Sequence, residues 1–139
     1  MRIAIDARWI FNEISGVGAY TRALIQHLSK IDKTNEYVLL FDNTALRDRT
    51  LREAEVIDAP NVVPITVPCG IFSLQGQFII PWILHKNNID VFHSTNYMMP
   101  LLSFPKRGQG KINHVVTIHD VIPLLFPKHA PKSKKSRAF

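Results

Sequence analysis

A chain of 139 residues and 15.9 kDa fits one domain with a real core and is short for a two-substrate enzyme built on parallel sheets. With 46% hydrophobic and 20% charged residues, it carries too much apolar surface to stay disordered. The net charge of +6 and pI near 9.7 raise nucleic acid as a partner. However, Lys128, Lys132, Lys134, Lys135 and Arg137 hold five of those charges in a tail without aromatic residues before Phe139, which argues against nucleic acid.

A single cysteine, Cys69, cannot form an internal disulfide and reads as a small buried hydrophobe. The first residues carry Arg2, Asp6 and Arg8 rather than a charged-then-apolar leader, and no apolar run is long enough to span a bilayer. The expectation is a cytoplasmic protein.

In chain order, Ile3 to Ala7 reads as a strand, and Ala19 to Ile31 as a helix with Tyr20, Leu24, Leu28 and Ile31 as its apolar positions. The unalternating run from Tyr37 to Phe41 predicts a parallel central strand buried on both faces. Thr44 to Glu55 predicts a short exposed helix. Val62 to Val67 predicts a strand that Pro64 pushes to an edge. Ser73 to Asn87 predicts a helix with Phe78, Ile79, Trp82, Ile83 and Leu84 on its apolar face, kinked or restarted at Pro81. Asp90 to His93 and Ile112 to Ile118 are two further buried strands, joined by a loop rich in proline and glycine. Strands alternating with helices predict a Rossmann-like, doubly wound, mainly parallel α/β sheet. Its ligand crevice lies outside the carboxyl ends of the strands.

Three of those ends matter: the first leads to Asp6, Ala7 and Arg8, and the fourth and fifth to His93 and His119. Gly16-Val17-Gly18 precedes the first long helix, where unpaired amides and missing side chains suit either an anion or merely a tight start to the helix. His119-Asp120 ends the last strand, placing an imidazole and a carboxylate at the crevice for hydroxyl binding or proton transfer. His93 is its counterpart on the preceding strand, with Asn96 and Tyr97 in the loop above. No cysteine and no D-x-D motif completes a metal site, so no metal or other cofactor is expected. A dinucleotide fingerprint with Asp42 as the ribose acid competes for the glycines. Thr21 replaces its third glycine, and the loop before Gly16 is too long for its tight turn.

Five segments in order closely resemble the N-terminal domain of family 4 retaining glycosyltransferases. They run Arg2 to Arg8, Ser15 to Arg22, Asn35 to Tyr37, Asp90 to Leu101 and Thr117 to Pro123. The resemblance implies a GT-B fold of two domains, with residues 1–139 as the acceptor-side domain and the donor-binding domain lying beyond this chain. It implies a nucleotide-sugar donor, a glycan or lipid-linked acceptor, retention, no metal, and a setting in cell-surface polysaccharide or glycolipid synthesis. It places Gly16 and Gly18 near the donor diphosphate and gives His119 the catalytic position. Arg8, Tyr20, His93, Asn96, Tyr97 and Asp120 stand as acceptor or sugar contacts.

On that resemblance, this chain alone is expected to be inactive and to self-associate through an incomplete sheet edge. The basic tail suggests peripheral contact with the inner face of a membrane. Two alternatives stay open: a stand-alone module binding sugar or anionic lipid, and a nicotinamide-dependent oxidoreductase domain.

Overall fold

The structure, a computed structural model, describes residues 1–13, 15–103, 112–121 and 125. Its strands are β1 (Arg2–Asp6), β2 (Glu36–Phe41), β3 (Val62–Thr66), β4 (Val91–Ser94) and β5 (Asn113–Val116); its helices are α1 (Gly16–Ile31), α2 (Thr44–Glu53) and α3 (Gly76–Lys86). Among the described residues all strand pairs are parallel, and the order across the five strands is β3-β2-β1-β4-β5. This is the Rossmann-like α/β architecture that the alternation of strands and helices predicts.

The sheet divides its side chains between two apolar layers because successive residues of a strand point to opposite faces. Ala4, Val38, Leu40 and Phe92 pack on one side with Ile80, Ile83 and Leu84 of α3. Ile5, Tyr37, Leu39 and Phe41 pack on the other with Ile25 of α1 and Leu51 of α2. Runs without alternation are therefore what these central strands need, since both faces are covered. Among the described residues β3 pairs only with β2, so Pro64 sits in an outermost strand, as its missing amide requires.

Both long helices bury only part of the stripe their large apolar residues suggest. In α1 the buried residues are Gly18, Thr21, Ile25 and Ser29, whereas Tyr20 and Ile31 are exposed. A Cβ on Gly18 would meet the Trp9 carbonyl oxygen at 3.3 Å, so the helix approaches the chain through its smallest residue. The Thr21 hydroxyl donates to the Val17 carbonyl at 2.8 Å and so enters the core with its polarity satisfied. In α3 the buried residues are Gly76, Ile80, Ile83 and Leu84, while Phe78 and Trp82 face outward. Pro81 lies inside this one continuous helix rather than between two parts. The helix expected to be merely exposed, α2, buries Leu46, Thr50 and Leu51.

Topology positions the site. The chain winds outward from β1 through β2 to β3, then returns to β4 on the other flank of β1. Between the carboxyl ends of β1 and β4 the connections diverge, which opens a crevice at the switch point.

Candidate functional site

On one side of the crevice the end of β1 turns into a single 3-10 turn, Ala7–Trp9, capped by the Asp6 side chain. Asp6 is fully buried, and Arg8 answers it with two parallel bonds, Nε to Oδ1 at 2.8 Å and Nη2 to Oδ2 at 2.7 Å. Burial alone would draw the Arg8 guanidinium down, but the hydrogen bonds and charge of Asp6 hold it above its ordinary pKa. Its remaining Nη1 donates weakly to the Cys69 carbonyl at 3.4 Å. Cys69 is buried, and burial pushes its thiol above the usual range.

Arg8 is also one wall of a cavity of about 280 Å³, together with Ser73, Gly76, Gln77, Tyr97 and the run Met98 to Leu101. Arg8 enters it already neutralised by Asp6, so it supplies shape and a polar surface rather than a free charge. Three aromatic rings from three different loops meet Trp9 beside this cavity: Phe11 at 6.2 Å, Phe72 at 5.8 Å and Tyr97 at 6.3 Å between centroids. Trp9 is buried, whereas Phe72 and Tyr97 are more than half exposed. The result is a braced, outward-facing aromatic rim of the kind that takes the apolar face of a ligand.

On the other side, toward α1, a second cluster forms around the end of β5. The His119 Nε2 lies 2.9 Å from the Thr95 carbonyl oxygen, and since a carbonyl only accepts, Nε2 carries the hydrogen. In the neutral ring Nδ1 is then the acceptor. The ring of Tyr20 meets the His119 ring edge-on at 5.0 Å. Thr117 Oγ1 lies 3.2 Å from the Tyr20 hydroxyl and 2.8 Å from His93 Nε2, joining α1, β4 and the strand end in one chain of contacts. Thr95 ties the two sides together, because its hydroxyl donates to the Asp6 carbonyl at 2.8 Å while its own carbonyl holds His119.

The structure thus brings Tyr20, His93 and His119 together and puts Arg8 and Tyr97 at the cavity. Asn96 is buried inside the turn, its Oδ1 accepting from the Tyr97 amide. Asp120 is exposed next to His119. Gly16 opens α1 with no atom near the place of a Cβ, while Gly18 is used for close packing. Ser15 caps the helix by accepting from the Gly18 amide at 3.0 Å, which leaves the amides of Gly16 and Val17 at the open end. Residues 7–15 separate β1 from α1, so no tight dinucleotide turn forms. Asp42, the candidate ribose acid, is instead drawn above the ordinary carboxylate range by burial, with Arg8 opposing the shift. The basic tail from Lys128 lies outside the described residues.

Sequence reasoning missed Thr95 and Thr117, although each stands two residues from one histidine and bonds the other, Thr117 Oγ1 to His93 and the Thr95 carbonyl to His119. It also missed Trp9, Phe72 and Gln77, which no local motif connects.

His93 gives the site a pH signature. Burial lowers its pKa, and that of His114 as well, below the ordinary histidine value of about 6.5. The unfolded chain therefore takes up these protons first as pH falls, so their share of stability is present above that value and lost below it. Urea unfolding at mildly acidic pH should show a lower midpoint than at neutral pH. The double replacement His93→Gln and His114→Gln should flatten that difference.

Compared with known protein families, residues 14–139 match Glycosyltransferase Family 4. No curated protein and no solved structure matches the chain.

Proposed function

We infer, since the chain belongs to Glycosyltransferase Family 4, that it forms the acceptor side of an enzyme moving a sugar from a nucleotide-sugar donor to a glycan or lipid-linked acceptor, with retention. The observation that carries this is the pinned His119, whose Nδ1 is left to accept while Nε2 is committed to Thr95 at the mouth of the crevice.

The acceptor's terminal sugar enters the cavity beside Arg8 and Gln77, with its apolar face against Tyr97 and Phe72. The donor approaches from the α1 side. Its diphosphate meets the open amides of Gly16 and Val17, where the helix end favours negative charge. His119 accepts from a hydroxyl of the sugar in transit and fixes its orientation against the acceptor. The leaving diphosphate takes the acceptor proton. This scheme asks nothing of a metal, and it uses cytoplasmic nucleotide sugars.

The rim makes a separable prediction. Tyr97→Ala combined with Phe72→Ala should raise the acceptor KM about tenfold with kcat nearly kept, because stacking of this kind serves ground and transition states alike. Steady-state transfer with a fixed donor and varied acceptor measures it. A loss confined to kcat would remove the rim from acceptor binding.

A further inference from the structure

The outer face of α3 is built unlike a solvent-exposed helix. Leu74, just ahead of the helix, is 84% exposed, Phe78 70% and Trp82 60%, and these follow one another at intervals of four. Within the helix that spacing puts Phe78 and Trp82 on one side, opposite Ile80 and Leu84, which are fully buried. The middle of the helix is apolar all round, and its polar residues are gathered at the ends. Beside the stripe, Leu101 and Leu102 are also more than half exposed, on a short turn tied to α3 by the Leu101 amide donating to Gln77 Oε1 at 2.8 Å.

Charge says what covers this stripe. No acidic residue occurs between Asp58 and Asp90 or between Asp90 and Asp120, and Asp90 itself is engaged by the Arg2 amide at 2.8 Å. At the carboxyl end of the stripe Lys86 lays its ammonium over the Trp82 ring, 4.9 Å from the centroid, next to His85. Amphipathic rings beside a cation with a long stem are the composition of a lipid-water boundary, where the ring sits at headgroup depth and the ammonium meets phosphate. Eleven residues are too few to cross a bilayer, and among the described residues no helix is long and apolar enough to do so. A helix of this kind lies in the plane of the surface.

We propose that the outer face of α3, through Leu74, Phe78, Trp82 and Lys86, is a docking surface for an anionic lipid membrane. This goes beyond the transfer reading and does not depend on it, because the binding is read without donor or acceptor. The surface is distinct from the basic tail.

Co-sedimentation of the protein, as its gene encodes it in full, with vesicles of phosphatidylcholine and phosphatidylglycerol tests the proposal. The wild type should sediment with them. Phe78→Ser combined with Trp82→Ser should weaken binding by about tenfold or more, and Lys86→Glu should weaken it on anionic vesicles only. All three positions are exposed, so unchanged circular dichroism is expected of the variants. Three outcomes would overturn the proposal: no sedimentation of the wild type, equal binding by the double variant, or a concentration-dependent dimer in sedimentation velocity that the double variant abolishes.

Discussion

Asp6→Asn is expected to destabilise the domain by about 3–5 kcal/mol, because it strands the Arg8 guanidinium, whose side chain is 4% exposed, without its counter-charge. Total stabilities of such domains are about 5–15 kcal/mol, so this single atom exchange removes a large share. The effect is specific to leaving one charge unpaired. Asp6→Asn together with Arg8→Met should therefore cost less than the two single changes summed, since neither charge then remains buried. Urea unfolding of the four proteins closes the cycle. A cost below about 1 kcal/mol for Asp6→Asn would place the pair with surface ion pairs and contradict its burial. The pair matters beyond stability, for Thr95 joins the Asp6 carbonyl to the His119 ring, and Arg8 walls the cavity.

His119→Ala is expected to lower transfer by roughly 10²–10³-fold with little change in folding, because the residue is exposed and its hydrogen bond goes to the Thr95 carbonyl just past β4. His119→Gln separates positioning from simple presence. A glutamine amide can donate to the Thr95 carbonyl as Nε2 does and keep an acceptor oxygen, so part of the rate should return. Comparable loss in both variants, with donor KM unchanged, would mean that the imidazole itself is required. No loss in either would remove His119 from the site.

The sheet was legible because a parallel strand buried on both faces leaves an unbroken apolar run, as Tyr37 to Phe41 does. Helix existence was legible too, but helix faces were not. Reading large apolar residues as the buried stripe selected Tyr20 and Ile31 in α1, whereas the contact is made through Gly18, Thr21, Ile25 and Ser29, with Leu28 packed beside them. Small and hydroxylated residues carry close approach without announcing it in hydropathy. The same habit placed Phe78 and Trp82 in the core, although they form the outer stripe of α3.

At the site, the residues at strand ends were legible because parallel topology gathers those ends at one edge. His93 and His119 accordingly come to one edge, where Tyr20 of α1 joins them. Their geometry was not legible. Thr117 bridges Tyr20 and His93, and Thr95 fixes the tautomer of His119, through hydroxyl and backbone groups that no motif marks. The aromatic rim brings Phe72 and Tyr97 from distant loops onto Trp9 and Phe11 of the segment after β1, so it exists only in the folded chain.

The most direct measurement is to supply the protein, as its gene encodes it in full, with a panel of nucleotide sugars and follow release of the nucleoside diphosphate with and without glycan acceptors. The account predicts release from at least one donor, stimulated by an acceptor, abolished or strongly reduced by His119→Ala and undiminished by chelation of divalent metal. Release that is absent across the panel, or equal in wild type and His119→Ala, would contradict it.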